Sequence, residues 1–305
     1  MISGASTPGT NWFLSGLENV KAREAVTQRQ ISSGYRIESA ADSPSQISDL
    51  VGLTSHLSTN EVSQQNFTRL KSELDAVDQS LSSTISIVDS ARSLGLQAAN
   101  SFATPAVRQS IAAQVQGLLQ QVVSISNTSV EGRYIFSGDT TNVIPFKTDA
   151  TTPVGFSYQG SATATRQVVD LNGGTIYSGS VGSQIFDHRD SLGVPAVDNL
   201  LTGLQNLADA ITNNTGIPDA VTALQTASAY LNQQQTGIGA SLQRLTAAQS
   251  QAATQSTRLK TSISGIRDTD ITQAAIDLNT EKVAESASLA AQGGVSRKSL
   301  FDYIG

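Results

Sequence analysis

The sequence contains no cysteine, and only 5% of its 305 residues are aromatic and 14% charged. Without cysteine the chain forms no disulfide and offers no thiolate ligand to a metal. The scarcity of aromatic side chains argues against a thick globular core, whereas thin cores between long helices need fewer large side chains. The net charge of −6 argues against a nucleic-acid-binding protein, which requires a basic surface.

Long apolar segments are also missing. No run of about 18 apolar residues occurs, so the sequence predicts no membrane-spanning helix. Residues 1–11 carry neither a positive charge nor an apolar stretch, which does not match a cleavable secretory signal. If the protein works outside the cell, we therefore expect it to leave by a route that needs no such signal.

Near the N-terminus, apolar residues recur at spacings of three and four and form a helical seam of Phe13, Leu17, Val20 and Ile31, with Trp12 beside it. The spacing predicts an amphipathic helix of about 20 residues, which ends at Ser32-Ser33-Gly34. An isolated helix of this length is marginal in water, so it needs a partner surface.

Longer helices are predicted on both sides of the middle of the chain. One begins with Ser43 as the N-cap, Pro44 at the first helical position and Gln46 completing a capping box, and extends to about Asn100. Further helices begin at Thr104-Pro105, after Pro195 and at Pro218, and a terminal helix is interrupted by Gly293-Gly294. The residues expected in a rod-like helical core are Phe67, Leu70, Leu74, Val77, Leu81, Leu242, Leu245, Leu259 and Ile263.

Between the helical regions the apolar period changes to two. Tyr134 and Phe136 of Gly132-Arg-Tyr-Ile-Phe-Ser-Gly138 share one face of an extended segment. Asn172-Gly-Gly174 predicts a hairpin turn with positive φ. The predicted fold class is therefore mainly α, with a long antiparallel coiled-coil rod built from both chain ends and a small β-rich outer domain in the middle.

No pattern predicts catalysis, a cofactor or a metal. The Ser residues lack a nucleophile-elbow context, and no phosphate-binding loop is present. Asp187-His188-Arg189-Asp190 gathers oxygen and nitrogen ligands, but adjacent residues rarely converge on one metal, so we interpret it as a charged loop. His56 is expected to be solvated, and Asp268-Thr-Asp270 is explained by a helix N-cap.

Two segments resemble the signatures of the bacterial flagellin family. The N-terminal one is Arg29-Gln-Ile-Ser-Ser-Gly-Tyr-Arg-Ile-Glu-Ser-Ala-Ala-Asp-Ser-Pro44, followed by the run to Leu94-Gly-Leu-Gln-Ala-Ala-Asn100. The C-terminal one is Ser264-Gly-Ile-Arg-Asp-Thr-Asp270, followed by Glu281 and Ala290-Ala-Gln-Gly293. Within the family, the segment 132–138 is similar to one typical of hook–filament junction proteins, whereas Ser299-Leu-Phe-Asp-Tyr303 is less diagnostic.

The resemblance implies a structural subunit of the bacterial flagellar axis, the adaptor between hook and filament, which is extracellular and exported without a cleaved signal peptide. Implied partners are copies of itself, the hook-side junction protein, flagellin, and an export apparatus or chaperone. Five domains are expected. An N-terminal assembly helix with its loop covers 1–42, and a C-terminal assembly helix covers 267–305. The two halves of the rod cover 43–130 and 193–266, and the β-rich outer domain between them covers 131–192.

The heptads allow two interpretations. An ordinary intramolecular core explains 67–91 and 238–266, whereas the weak terminal seams are expected to be completed by neighbouring subunits. The residues expected at that assembly interface are Trp12, Phe13, Leu17, Val20, Ile31, Arg36, Ile271, Leu278 and Leu289.

Other functions remain open at this point. The nearest alternative is a flagellin that forms the filament itself. A secreted adhesin on a coiled-coil stalk is more remote, and its binding surface would use Phe156, Tyr158 and Tyr177. These aromatic side chains are few and serve equally well as a small β core.

Overall fold

The computed structural model describes residues 8–295. Its helices are α1 Pro8–Ser33, α2 Pro44–Ala98, α3 Pro105–Ser126, α4 Gly182–Ile185, α5 Leu200–Asn213, α6 Ile217–Arg267 and α7 Ile271–Val295. Its strands are β1 Ser129–Val130, β2 Arg133–Tyr134, β3 Phe146–Thr148, β4 Phe156–Tyr158, β5 Gln167–Val169 and β6 Thr175–Ser178. The predicted fold class is confirmed, because 68% of the structure is helical and strands occur only in the middle.

The chain divides into two compact units. The terminal unit combines the residues up to Thr59 with those from Gln255 onward, and the central unit covers Asn60–Thr254. Helices α2 and α6 contribute residues to both units. The terminal unit therefore contains the α1–α2 loop and the α6–α7 junction, and the central unit contains the strands.

The helix ends follow the local sequence. Thr104 accepts a hydrogen bond from the Val107 N–H at 3.3 Å, with Pro105 in the first turn of α3. Helix α2 begins at Pro44 as predicted, but the Ser43 hydroxyl donates to Gln46 Oε1 at 3.3 Å. The predicted interruption at Gly293-Gly294 is wrong, since α7 continues to Val295. Glycine costs a helix only about 1 kcal/mol, so two glycines weaken it without ending it.

The central unit has one continuous apolar core drawn from α2, α3, α5, α6 and the segment between α3 and α5. Predicted core residues such as Phe67, Leu74 and Leu81 are almost completely buried. Full burial of one such side chain stabilises by about 1.5–3 kcal/mol. In α3 the buried residues include Ile111, Val115 and Leu119, whereas Val107 is 47% exposed.

The insert, residues 131–192, contains most of three separate two-stranded antiparallel pairs, β1–β2, β3–β4 and β5–β6. The predicted hairpin joins β5 to β6, and Gly173 has a φ of +85°. Asp170 Oδ1 accepts from the N–H groups of Asn172 and Gly174, at 2.8 Å each. The turn is therefore held by a carboxylate in addition to glycine.

Aromatic side chains connect the insert to the core of the central unit. The rings of Phe136 and Phe186 meet edge to face with centroids 4.9 Å apart, and Phe146 packs near Phe186. Burial raises the pKa of Tyr158 and of Tyr177 to about 12 in each case. Of the aromatic residues that an adhesin would use, Tyr177 is buried and Phe156 and Tyr158 are half-buried, so none of the three is fully exposed.

The segment 132–138 anchors the insert through its backbone. The Phe136 carbonyl accepts from the Tyr158 hydroxyl at 2.9 Å and from the Gly182 N–H at 2.7 Å. Gly138 has a φ of +63°, and a Cβ there would lie 2.5 Å from the Thr163 carbonyl oxygen. Close backbone approach thus explains why glycine ends this segment.

Candidate assembly surface in the terminal unit

Helices α1 and α7 pack against each other within the terminal unit. The predicted seam of α1 faces this contact: Val20 is buried, and Phe13, Leu17 and Ile31 are half-buried. Lys21 Nζ lies 3.7 Å from Glu285 Oε1. Helix α7 therefore lies beside the seam of α1 within the chain, and the completion of the terminal seams by neighbouring subunits stays a prediction.

A second set of apolar side chains on the pair remains exposed. Trp12 is 81% exposed, and Ile271 and Leu289 are each 48% exposed, whereas Leu278 is half-buried. Sequence reasoning missed Val26, Ile276 and Val283, which are 39%, 55% and 62% exposed.

The exposed residues of α7 follow a heptad. Ile276 and Val283 are seven residues apart and therefore share a helix face, opposite the face that carries buried Ala274. The seven-residue spacing of Ile276 and Val283 could have identified them as one apolar face from the sequence. Such a spacing does not show, however, which face of a helix is covered within the chain. The α7 helix thus has an inner face on α1 and an outer apolar face without a partner in the described residues.

A short backbone clasp ties the α1–α2 loop to the α6–α7 junction. We define the clasp as residues 34–37 together with 266–269. Gly34, at φ +74°, accepts through its carbonyl from the Thr269 N–H at 2.9 Å. The N–H groups of Arg36 and Ile37 donate to the Arg267 carbonyl at 2.6 and 3.2 Å. The clasp therefore fixes the end of α1 beside the start of α7, which requires the two helices to be antiparallel.

Side chains reinforce the clasp. Arg36 Nη2 donates to the Ile266 carbonyl at 2.7 Å and to Gln46 Oε1 at 3.2 Å. The guanidinium of Arg267 lies 4.0 Å from the centre of the Tyr35 ring, a cation–π contact. The structure thus places Arg36, expected at the interface between subunits, in contacts within the chain.

Beneath the clasp lies a small apolar cluster of buried Ile37, Leu50 and Ile263, with Ile47, Leu53, Leu57 and Ile266 packed around it. Ile263 was expected in the rod core, and it lies in this cluster instead of the large core of the central unit. Leu259 is also a buried residue of the terminal unit.

Charged groups hold the loop that leads from the clasp to α2. Asp42 Oδ2 accepts from the N–H groups of Ser39 and Glu38 at 2.7 and 3.1 Å. These hydrogen bonds, the one from Ser39 first, lower the pKa of Asp42, and Arg29 at 3.3 Å adds to the effect. At the start of α7, Asp270 Oδ1 accepts from the Thr272 and Gln273 N–H groups, which confirms the predicted N-cap.

The charged loop at the end of the insert has a structural role. His188 Nδ1 lies 2.6 Å from Asp198 Oδ1, and its ring stacks on Tyr230 with centroids 5.0 Å apart. Across residues 8–295, no cluster of three or more metal-ligating side chains is found. In the same residues, no helix is both long and apolar enough to cross a membrane.

Comparisons with known proteins match the helical regions on both sides of the insert. Residues 11–141 match the family model for the bacterial flagellin N-terminal helical region, and residues 221–304 match that for the C-terminal helical region. The chain is 27% identical over 254 residues to flagellar hook-associated protein 3 of Escherichia coli, covering 81% of this chain and 78% of that protein. For the Salmonella typhimurium protein of the same name, the identity is 29% over 186 residues, covering 61% and 57%.

Solved structures share the fold. A putative flagellar hook-associated protein from Vibrio parahaemolyticus aligns with a TM-score of 0.64 at 20% identity, over 74% of this chain and 100% of that one. FlgL from Bacillus cereus aligns with a TM-score of 0.56 at 19% identity, over 70% and 99%.

Proposed function

This chain belongs to the bacterial flagellin family, and we propose that it is a structural subunit of the flagellar axis, the adaptor that joins the hook to the filament. The similarity to hook-associated protein 3 along most of both chains supports the adaptor over the filament subunit. The observation that carries a structural role is the paired terminal helices, whose outer face presents apolar side chains without a partner in the described residues.

Assembly would proceed by burial of that face. Trp12, Ile276 and Val283 become covered when neighbouring terminal units meet, and each side chain contributes up to about 1.5–3 kcal/mol. Because α1 and α7 already cover each other's inner seams and the clasp fixes their ends, less ordering remains to be done at assembly. Preorganisation of this kind lowers the entropic cost of association.

The implied partners follow from this role. Copies of the chain would lie side by side, with the hook-side junction protein on one side and flagellin on the other. The protein would function outside the cell in the flagellum, after export through the flagellar apparatus with or without a chaperone. It would carry no catalytic activity, because a structural adaptor acts by contact alone.

Localisation separates the alternatives. We expect immunogold labelling of intact flagella with an antibody against residues 140–190 to give a single cluster where the hook meets the filament. Labelling along the whole filament would instead make the chain a filament flagellin. Absence of label from flagella would contradict both, and retained glycan binding by the whole protein would then favour the adhesin.

Variants test the role of the terminal unit. Deletion of residues 1–35 should leave the central unit folded but abolish incorporation into flagella. A milder change is Val283→Asp, which places a charge on the outer face of α7 and should reduce incorporation at least tenfold. Val62→Asp is the matched control, since Val62 is also exposed (53%) on a helix but lies in the central unit. Normal incorporation of the truncated protein would contradict the proposed role.

A further inference from the structure

The tip of the β5–β6 hairpin carries the one asparagine of the chain that is followed by glycine. Asn172, Gly173 and Gly174 are all exposed. The Asn172 N–H donates to the Asp170 carboxylate, but the Asn172 carboxamide makes no hydrogen bond with the residues that the structure describes. The carboxamide is therefore free to turn towards the backbone nitrogen of the next residue.

Gly173 leaves this nitrogen unshielded. Any other residue would place a Cβ close to its own backbone nitrogen, whereas glycine has none. Apart from its two chain neighbours, no atom of the described residues lies within 4 Å of the position that a Cβ of Gly173 would take. The nitrogen can thus come close enough to the side-chain amide carbon of Asn172, Cγ, to close a five-membered ring.

The closed turn holds the nitrogen back, and the hairpin tip opens easily. In the closed turn the Gly173 N–H donates to the Asp170 carbonyl at 3.1 Å. Strands β5 and β6 form a sheet of two strands only, and an isolated hairpin of this kind is marginally stable in water. Its exposed tip therefore opens locally at low cost, while buried Ile176 and Tyr177 keep the rest of the hairpin in place.

We propose that Asn172 is a deamidation site, at which the chain modifies itself while the hairpin tip is open. The Gly173 nitrogen gives its proton to water and attacks Cγ of Asn172. The bond from Cγ to the side-chain nitrogen breaks, and that nitrogen takes a proton from water and leaves as ammonia. The resulting succinimide ring is opened by a second water molecule to aspartate or isoaspartate. The net reaction consumes one water and releases one ammonia, and it does not depend on the proposed function.

The modification changes both the charge and the geometry of the hairpin tip. Because the Asn172 N–H bonds to the Asp170 carboxylate, a new carboxylate at position 172 lies close to that group, and like charges repel. Isoaspartate also adds one carbon to the backbone of a tight turn. Each modified chain therefore has an additional negative charge on an exposed surface of the insert and a weaker turn.

Ageing of the purified full-length protein tests the site. The protein is kept in mildly alkaline buffer and digested under acidic conditions, and mass spectrometry follows deamidation at positions 172 and 214. Asn214 is the internal control, because it is also exposed in a turn but precedes β-branched Thr215, which crowds its own nitrogen. We expect Asn172 to convert at least tenfold faster than Asn214, at a rate that rises with pH. Equal rates at the two positions would overturn the proposal.

A variant at Gly173 separates shielding of the nitrogen from loosening of the turn. Gly173→Ala adds a Cβ beside the nitrogen, and it also strains the turn because Gly173 has a φ of +85°. Strain alone would open the tip and speed the reaction, whereas shielding slows it. We expect deamidation at Asn172 to become at least tenfold slower. A rate equal to or above that of the wild type would refute attack by this nitrogen.

A variant at Asp170 tests whether the tip must open. Asp170→Ala removes the acceptor of the Asn172 and Gly174 N–H groups, so deamidation at Asn172 should become severalfold faster. Asp149→Ala is the matched control, because Asp149 Oδ1 accepts from the Thr151 N–H at 3.0 Å in another loop of the insert, and it should leave the rate unchanged. An unchanged or lower rate in Asp170→Ala would contradict reaction from the open tip.

Discussion

The central unit and the terminal unit are both helical, but they are held together in different ways. In the central unit many large side chains, among them Leu74, Leu204 and Phe136, are completely buried in one continuous core. The terminal unit has a small cluster around Ile37, a polar clasp and a helix pair with many exposed apolar residues. The difference teaches that apolar burial is concentrated in the central unit, whereas the terminal unit keeps the exposed apolar residues that the proposed assembly would cover.

The polar character of the terminal unit follows from this division. Hydrogen bonds contribute only about 0.5–1.5 kcal/mol each, but their geometry is specific. A clasp built from them sets which residues of α1 and α7 face each other, without the large core that would bury the outer face as well. Apolar area that remains exposed is then available to the neighbouring subunits of the proposed assembly.

The largest expected effect is a loss of stability when a buried aromatic ring of the central unit is removed. Phe136→Ala removes a ring that is fully buried against Phe186, and it should lower the free energy of unfolding by about 3–5 kcal/mol. Phe102→Ala is the control, because Phe102 is 91% exposed and should change stability by less than about 0.5 kcal/mol. Urea denaturation of both variants checks the prediction. A loss below about 1 kcal/mol for Phe136→Ala would mean that the insert does not share the core.

A smaller, local effect is expected in the clasp. Arg36→Ala removes hydrogen bonds to the Ile266 carbonyl and Gln46, and bonds from a charged donor contribute about 1.5–3 kcal/mol before exposure reduces them. A net loss of about 1.4 kcal/mol is a tenfold change in the opening equilibrium. Amide hydrogen exchange at Ile37 should therefore become about tenfold faster, while the amides of the central unit keep their protection.

Arg23→Ala is the control for this change, since Arg23 lies on α1 outside the clasp and is exposed. Faster exchange throughout the central unit in Arg36→Ala would show that the clasp stabilises the whole fold, and the contrast between the two units would then be lost. Unchanged exchange at Ile37 would show that backbone bonds alone hold the clasp.

Local patterns in the sequence predicted most of the fold. The Thr104-Pro105 helix start, the break at Gly34 and the hairpin at Gly173 each depend on neighbouring residues, and the structure has all three. The stripe from Phe67 to Leu81 was identified because a wide apolar seam in a long helix is buried whatever its partner.

Long-range pairings were harder to predict. The seam through Phe13 and Val20 shows that α1 needs a partner but not that α7 of the same chain provides it. The role of Arg36 depends on a carbonyl 230 positions away, at Ile266. Whether Val283 is covered or exposed depends on which face α1 takes, and periodicity alone gives no preference between two faces of one helix.

The smallest expected effect is the pH dependence of stability, which involves one loop in each unit. In the central unit, hydrogen bonds lower the pKa of Asp139, and the bond from the Thr165 N–H has the largest effect. In the terminal unit, hydrogen bonds from Ser39 and Glu38 lower the pKa of Asp42 in the same way. A carboxyl group whose pKa is lower in the folded state stabilises the fold above its unfolded pKa of about 3.9, and this contribution is lost as the pH falls through the folded value. Asp139→Asn should therefore be less stable than wild type at pH 7, and the difference should shrink below about pH 4. Urea denaturation from pH 7 to pH 3 measures this difference in stability. Asp42→Asn is the counterpart in the terminal unit, and its effect should appear in amide exchange near the clasp instead of in global unfolding. A stability difference for Asp139→Asn that grew towards low pH would contradict the lowered pKa.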